Sequence, residues 1–245
     1  MPWVQRETPC ARPYPIPAEK PRRWGMDYRS SNMVTPYTEL HPGTCALLVV
    51  DTQNDYAHPR GSNPVPGAAE VVPVIAACLD VFRRAGNPVI HVVRLYMPDG
   101  SNVDPCRRWQ FERGERRAVV AGTWGSQLAA ATSPGGELDA DLLLSGSFQE
   151  LAYNEYAMYK PRFGAFTRTP LHSFFQERGV DSVVIVGITF PNCVLATQIG
   201  ATDLDYRVGL VPEACTEVNE EGLRSMQNKG VQILTLQDIR DLMSH

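Results

Sequence analysis

The sequence predicts an α/β fold: three α/β/α layers around a mostly parallel, Rossmann-like sheet of about six strands. Three observations lead to this prediction. Short continuous apolar segments recur along the chain, as expected for strands that are buried on both faces. Segments with helical periodicity lie between them, and some end at glycine. Strands that alternate with helices favour a parallel sheet that is covered by helices on both faces.

The apolar segments define the predicted strands. These are CALLVVD (45–51), PVIHVVR (88–94), YAMYK (156–160), VDSVVIVG (180–187), YRVGLV (206–211) and VQILTL (231–236). Helical spacing marks the predicted helices, which cover residues 68–86, 169–179, 193–205, 220–230 and 237–245. Residues 95–125 are predicted to be loop, and residues 126–154 fit neither pattern.

The first forty residues differ from the rest of the chain. They are rich in proline and arginine and show no sustained period. Residues 1–40 are therefore predicted to be an N-terminal extended arm that lies on the body or on a neighbouring subunit, with a disordered tail as an equal alternative. A single domain is predicted for residues 41–245, a length that suits one large α/β domain.

Composition excludes several classes of function. The net charge of −4 gives no basic footprint for nucleic acid or for an anionic membrane. No apolar stretch reaches the roughly 18 residues that a membrane span needs, and the N-terminus lacks the apolar core of a signal peptide. Six cysteines occur without a CxxC pair, which favours free thiols in a reducing cytoplasm. The five histidines are scattered, so a histidine metal site has little support.

Reactive side chains follow three of the predicted strands. Asp51 ends the first strand, Lys160 ends the third, and Cys193 lies between a strand and a helix. Parallel α/β sheets bind ligands at the carboxyl ends of their strands, so one sheet edge can gather all three. A thiol becomes a better nucleophile at a helix start, near a cation or within reach of a base. The pattern indicates a cysteine nucleophile supported by Lys160, with Asp51 as general base.

The motifs that carry these residues resemble the isochorismatase-like cysteine hydrolase superfamily. That group includes N-carbamoylsarcosine amidohydrolase and nicotinamidase-related amidohydrolases. The resemblance covers roughly residues 44–240, and its three strongest motifs occur in the family's order. The matching segments are ALLVVDTQNDY (46–56), KPRFGAFTRTPL (160–171) and GITFPNCVLATQIGA (187–201), with weaker matches at AGTWGSQL (121–128) and YRVGLVPEA (206–214).

The resemblance implies that Asp51, Lys160 and Cys193 form a catalytic triad. In such enzymes a thiolate attacks an amide or carbamoyl carbonyl, an amine or ammonia leaves, and water hydrolyses the thioester. The family also has a cis peptide bond that corresponds here to Ile188–Thr189. That bond would turn the backbone N–H groups of Thr189 and Cys193 toward a developing oxyanion.

The resemblance also bears on metals and cofactors. Nicotinamidases hold a metal with an Asp-x-His motif and a further histidine after the second strand, whereas this chain has LYMPDGSNVD (95–104) there. We therefore expect a metal-independent, cofactor-free enzyme. Relatives that hydrolyse isochorismate lack the cysteine, so Cys193 disfavours vinyl-ether cleavage. Two alternatives stay open: ester or vinyl-ether hydrolysis on the same scaffold, and a non-catalytic binding protein of this fold.

Several other residues are candidates for contacting a small amide or carbamoyl substrate. They lie on strand-end loops or near the cysteine, and aromatic rings or an anion-binding guanidinium suit such a pocket. The candidates are Gln53, Tyr56, Arg94, Trp124, Phe163, Phe166, Phe190 and Asn192. For each of them, packing within the fold is the alternative. Relatives are commonly oligomeric, so a homodimer or homotetramer is expected.

Overall fold

The computed structural model describes residues 34–115 and 117–244. These residues form one seven-stranded sheet with helices on both faces. In chain order the strands are β1 (Cys45–Val50), β2 (Val89–Val93), β3 (Gln149–Ala152), β4 (Glu155–Tyr159), β5 (Ser182–Gly187), β6 (Arg207–Cys215) and β7 (Gln232–Ile233).

The helices lie in the connections between strands. They are α1 (Asn54–Ala57), α2 (Ala68–Ala85), α3 (Pro105–Glu112), α4 (Ala140–Leu144), α5 (Leu171–Glu177), α6 (Leu195–Thr202), α7 (Glu220–Gln227) and α8 (Leu236–Leu242). Shorter helical turns occupy Pro42–Thr44, Trp124–Ser126 and Phe190–Val194. None of the helices in the described residues has both the length and the apolar character that a membrane span requires.

The strand order across the sheet is β3-β4-β2-β1-β5-β6-β7. Neighbouring strands are parallel except β3 and β4, which form an antiparallel hairpin at one edge. Strand β1 is central, with β2 on one side and β5 on the other. The chain reverses its direction of travel across the sheet beside β1, and ligands bind in the crevice at such a switch point.

Side chains of β1 alternate between the two faces of the sheet. Leu47 and Val49 pack in one cluster with residues of α2 and α8. Leu48 and Val50 pack in the opposite cluster with residues of α5, α6 and α7. Every residue of β1 is buried because helices cover both faces. This arrangement confirms the predicted three-layer α/β/α class.

The sequence prediction missed strand β3 and the helices α1, α3 and α4. Strand β3 raises the count from about six strands to seven, and its sequence, QELA, is only partly buried because it lies at the sheet edge. Helix α3 lies within residues that were predicted to be loop, and of its side chains only that of Phe111 is buried. A helix with one buried side chain carries no apolar periodicity for the sequence to show.

Most of the predicted N-terminal arm lies outside the described residues. Its last part, from residue 34, is described, and it contacts the body. The side chain of Gln232 in β7 donates a hydrogen bond to the backbone carbonyl of Thr38. Leu40 is buried in the cluster that also contains residues of α2. Because Leu40 packs in this cluster, the described end of the segment is part of the body of the domain.

A buried carboxylate joins β4 to β2 and α2. Glu155 accepts hydrogen bonds from Arg83 Nε at 2.8 Å and Nη2 at 2.7 Å, and its Oε1 lies 2.6 Å from His91 Nε2. Burial alone would raise the pKa of Glu155, but hydrogen bonds from Arg83 and His91 lower it to about 2. Burial lowers the pKa of His91, so its ring is neutral at pH 7.

We expect Glu155→Gln to reduce the free energy of unfolding at pH 7 by on the order of 3 kcal/mol. The carboxylate has a lower pKa in the folded state than the ordinary 4.5. Its contribution is therefore present above about pH 4.5 and is lost as the pH falls toward 2. Urea unfolding from pH 7 to pH 3 should show the wild type approaching the variant. Glu150→Gln, at an exposed position on β3, is the control; an equal effect from both substitutions would contradict this account.

Candidate active site

Lysine 160 joins an acid and a thiol at the carboxyl edge of the sheet. Its Nζ lies 2.8 Å from Asp51 Oδ2 and 3.3 Å from Cys193 Sγ. All three side chains are buried, and that of Lys160 is 0% exposed. The structure therefore brings together the three residues that the sequence singled out, although 142 positions separate the first from the last in the chain (51 to 193).

Backbone hydrogen bonds to β2 place the acid and the ammonium. Asp51 directly follows β1, and its N–H donates to the Val92 carbonyl at 2.9 Å. Lys160 directly follows β4, and its N–H donates to the Val93 carbonyl at 2.9 Å. Asp51 also has a φ of 52°, which turns the chain sharply at the end of the strand. The two side chains thus leave the sheet beside the same strand end.

The cysteine lies in a π-helical turn, Phe190–Val194, that connects β5 to α6. Sequence analysis placed it at the helix start; α6 in fact begins two residues later, at Leu195. The peptide bond between Ile188 and Thr189 is cis. The Thr197 hydroxyl donates to the Cys193 carbonyl at 2.7 Å and accepts from the Ala165 N–H at 3.1 Å, so it ties the turn to the loop after Lys160.

The thiol is neutral in the free protein. Burial raises the pKa of Cys193, and the negative charge of Asp51 raises it further, while Lys160 and Arg94 lower it in part. The Oδ1 atom of Asp51 is buried and accepts no hydrogen bond from the described residues. A protonated thiol near a carboxyl group with a free acceptor oxygen is suited to transfer of its proton when a substrate arrives.

A cavity of about 300 Å³ lies over the thiol. Its lining includes Asp51 and Cys193, together with Tyr56, Thr189 and Asn192. The loop between α1 and α2 contributes a further wall, which consists of Asn63, Pro64, Val65 and Pro66. Arg94, Arg107, Ile188 and Glu217 complete the lining.

The sequence also matches a known protein family. Residues 45–238 match the family model described as the isochorismatase domain. The chain belongs to the isochorismatase family. Within that family it is 32% identical over 198 residues to a probable inactive nicotinamidase of Arabidopsis thaliana, covering 79% of this chain and 93% of that protein. It is also 29% identical over 199 residues to a ureidoacrylate amidohydrolase of Methylobacterium radiotolerans, covering 75% of this chain and 71% of that protein.

A solved structure of the isochorismatase family has the same fold. The isochorismatase family protein from Desulfovibrio vulgaris superposes with a TM-score of 0.68 and 32% sequence identity. The similarity covers 82% of this chain and 99% of that one. The seven-stranded sheet and its helices are therefore those of an isochorismatase-family domain.

Some of the predicted substrate contacts line the cavity of this isochorismatase-family domain. Tyr56, Arg94 and Asn192 belong to its lining. Burial raises the pKa of Tyr56 well above its usual value, so the phenol stays protonated. The Asn192 side chain donates to the Thr189 hydroxyl at 3.0 Å, on the turn that holds the cysteine.

Gln53 was predicted to contact substrate, but the structure gives it a different position. Its Nε2 donates to the carbonyls of Arg94 at 2.8 Å and Ser126 at 2.7 Å, and its Oε1 accepts from the Arg94 N–H at 2.9 Å. All of these partners are backbone groups. The amide therefore fixes the chain after β2 and is not part of the cavity lining.

The other aromatic candidates, Trp124, Phe163, Phe166 and Phe190, are outside the cavity lining. Trp124 is half exposed and packs edge-on against His58, with ring centroids 5.2 Å apart. Phe190 is buried in the core, where it packs closely against Gly222. Phe166 stacks on Tyr206 at 5.4 Å. Phe163 contacts two residues of the lining, because the guanidinium groups of Arg94 and Arg107 lie 5.8 Å and 4.4 Å from the centre of its ring.

Sequence reasoning missed Arg107 and the wall Asn63–Pro66. Arg107 lies on α3, which has no apolar periodicity, so the sequence did not show which way its side chains point. The segment NPVP was visible only as a loop. Its position over the cavity depends on Asp55, which accepts hydrogen bonds from the N–H groups of Ser62 at 2.8 Å and Val119 at 2.6 Å.

The residues after β2 do not fit the nicotinamidase metal site. Asp104, the buried carboxylate in this segment, pairs with Arg94 at 3.0 Å and accepts from the Tyr96 hydroxyl at 2.9 Å. Within residues 34–115 and 117–244, no cluster of three or more His, Cys, Asp or Glu side chains could hold a metal ion.

We expect Asp51→Asn to lower the pH midpoint of Cys193 alkylation by iodoacetamide by about one unit or more. The substitution removes a negative charge that raises the pKa of the thiol, and it leaves the Lys160 ammonium unpaired. The rate can be followed by mass spectrometry of the Cys193 peptide, which separates it from exposed Cys106. Glu217→Gln, which removes an exposed carboxylate of the cavity lining, serves as the control. An unchanged or raised midpoint in Asp51→Asn would disprove this electrostatic assignment.

Proposed function

We propose that the protein is a metal-independent cysteine hydrolase that cleaves a C–N bond in a small molecule through a thioester intermediate. The scissile group is an amide, a carbamoyl group or a lactam. The contact of Lys160 Nζ with both Asp51 and Cys193 at the base of a cavity carries the proposal. This arrangement supplies a nucleophile and a base that are each within hydrogen-bond reach of one fixed positive charge.

The proposed reaction has two halves. Asp51 takes the thiol proton as Sγ of Cys193 attacks the carbonyl carbon, and the carboxylic acid so formed then protonates the departing nitrogen. The C–N bond breaks, ammonia or an amine leaves, and a thioester remains. Asp51 next accepts a proton from water, whose oxygen attacks the thioester. Breakage of the C–S bond releases the acid, and the proton returns to sulfur.

Lys160 and the backbone of the turn stabilise the negative charges that form during this reaction. The ammonium lies 3.3 Å from Sγ, so it stabilises the thiolate directly. For the oxyanion we assign the N–H groups of Thr189 and Cys193. In support, Thr189 lines the cavity, and its N–H donates no backbone hydrogen bond within the described residues. Loss of one oxyanion donor typically costs about 10²-fold or more in rate.

The relatives support amide hydrolysis but leave an alternative. One is named a ureidoacrylate amidohydrolase, and another a probable inactive nicotinamidase. The second name keeps open a non-catalytic binding protein on this scaffold. Ester or vinyl-ether cleavage is the other alternative. The close contacts among Asp51, Lys160 and Cys193 favour the catalytic reading, because a binding protein would not require a buried acid–ammonium–thiol set. A homodimer or homotetramer and a cytoplasmic location stay predictions.

Ammonia release from a panel of small primary amides and ureides, together with mass-spectrometric detection of the ring-opened amino acid from lactams, tests the reaction. We expect Cys193→Ala to abolish turnover of any active compound, by at least about 10³-fold in kcat, because the nucleophile is lost. Cys106→Ala removes an exposed thiol and should retain full activity. Intact mass of the wild type during turnover should reveal an acyl adduct that Cys193→Ala lacks. Turnover of matched esters but of no amide would favour ester cleavage. No turnover of any compound, together with a Cys193 that iodoacetamide does not alkylate, would favour the non-catalytic binding protein.

Chelation provides a separate test of metal independence. We expect prolonged dialysis against EDTA, followed by assay with and without added Zn²⁺, to leave kcat/KM within about twofold of its starting value. The reason is that the carboxylate after β2 is already paired with Arg94 and Tyr96. Loss of activity that Zn²⁺ restores would overturn the proposed metal-free mechanism.

A further inference from the structure

Two guanidinium groups line the cavity that contains the thiol, and they belong to Arg94 and Arg107. We infer that they bind a carboxylate of the substrate, so that the preferred compounds are small amides or ureides that carry one carboxylate. This inference rests on the proposed function and names its substrate class. It depends on the pairing, burial and charge of these two arginines.

Arg94 is a buried cation with an unused donor. Its side chain is 1% exposed, and Nη1 donates to Asp104 Oδ2 at 3.0 Å and to the Pro161 carbonyl at 2.9 Å. Its Nη2 is also buried and has no hydrogen-bond partner in the described residues. A buried donor without a partner is unfavourable. Arg94 is part of the cavity lining, so a small shift of its side chain would bring this donor to a ligand oxygen, and a carboxylate oxygen is the strongest acceptor for a guanidinium.

The charge of Arg94 persists in this environment. Burial by itself would lower the pKa of Arg94, but nearby acidic groups, among them Tyr96, Asp51 and Asp104, raise it above its ordinary value. Asp104 offsets this charge only in part, because the same Oδ2 atom also accepts the Tyr96 hydroxyl at 2.9 Å. The cavity therefore has a permanent cation at its wall.

Arg107 adds a second positive charge to the lining. It reaches the cavity from α3, and its guanidinium pairs with no carboxylate in the described part of the chain. The group lies over the ring of Phe163 at 4.4 Å, and the guanidinium of Arg94 lies 5.8 Å from the centre of the same ring. One aromatic side chain thus holds both cations near each other.

The remaining charges of the lining do not cancel these two. Asp51 is offset by Lys160 at 2.8 Å. Glu217 is exposed to solvent, so its charge is screened more strongly than that of a buried group. Because Arg94 is paired with Asp104, Arg107 is the cation of the lining without a carboxylate partner in the described residues, and one anionic group on a ligand would balance it. A neutral ligand would leave the Arg94 Nη2 donor unsatisfied or pair it with a weaker acceptor.

Ligand binding to the Cys193→Ala variant tests this inference, because the variant lacks the nucleophile and cannot turn the probes over. Each probe is a carboxylate with its neutral carboxamide isostere: N-carbamoylglycine with N-carbamoylglycinamide, and succinamate with succinamide. Isothermal titration should show at least about tenfold tighter binding of the carboxylate member for one or more pairs. Equal binding of both members, tighter binding of the carboxamide, or binding by neither across the pairs would overturn the inference.

Variants of Arg107 test the assignment of the site. Because this side chain is half-buried on a surface helix, its substitution should not unfold the protein. Arg107→Gln should weaken carboxylate binding about tenfold and leave the carboxamides unchanged, and Arg107→Lys should restore part of the loss. Arg113→Gln, at the exposed end of the same helix, is the matched control and should change neither. The assignment of Arg107 to the carboxylate site would be refuted if Arg107→Gln weakened binding of both members of a pair equally, or if it left binding of the carboxylate unchanged.

The kinetic readout separates this inference from the proposed function. With an active wild type, Arg107→Gln should raise KM for carboxylate substrates and leave kcat nearly unchanged. Preferential hydrolysis of neutral amides, unaffected by Arg107→Gln, would refute the carboxylate inference and leave the proposed hydrolase intact. Carboxylate binding that depends on Arg107, without hydrolysis of any probe or panel compound, would support the anion site and refute the hydrolase.

Discussion

A buried ion pair constrains the architecture of this site. Lys160 is fully buried, and an ammonium in that position is tolerated only with an opposite charge and good hydrogen bonds. Asp51 supplies that charge at 2.8 Å. The pair connects β4 to β1, which are separated by β2 and hence by two strand spacings, roughly 10 Å. The long lysine side chain must cross the end of β2 to reach its partner.

The same constraint extends to the cysteine through β5. Strand β5 lies directly beside β1, with Gly187 opposite Val50 in the parallel register. A Cβ at Gly187 would lie 2.2 Å from the Val50 carbonyl oxygen, so glycine is required where the two backbones approach. This close approach places the chain that leaves β5 next to the residue that follows Val50. The nucleophile and the acid therefore share one crevice because of strand order and one small residue.

The strands and the residues at their ends could be predicted from the sequence, but most of the side chains that line the rest of the cavity could not. Buried strands such as β1 and β5 produce apolar runs, and the ends of such runs identify Asp51 and Cys193. Gln53 is polar, as a ligand-binding residue would be, but its amide hydrogen-bonds with backbone groups instead. Its partner Arg94 lies 41 positions away in the sequence, so this contact depends on the tertiary path of the chain. Phe190 is next to the cysteine turn but points into the core. Side-chain direction in turns follows from tertiary packing, which periodicity does not encode.

The charges around the thiol are arranged so that the proposed proton transfer needs little movement. In the free protein, Lys160 is paired with Asp51, and the thiol is neutral because burial and Asp51 raise its pKa. Transfer of the thiol proton to Asp51 removes the carboxylate charge and creates a thiolate 3.3 Å from the same ammonium. Lys160 then pairs with sulfur instead of oxygen. The buried region keeps the same total charge throughout. Lys160 has one adjacent anion in each state, either the carboxylate or the thiolate, and that anion offsets the cost of desolvating the ammonium. A thiol that was already ionised beside an ionised Asp51 would place two anions against one cation; burial first and the charge of Asp51 second raise the pKa of Cys193 and so oppose that arrangement.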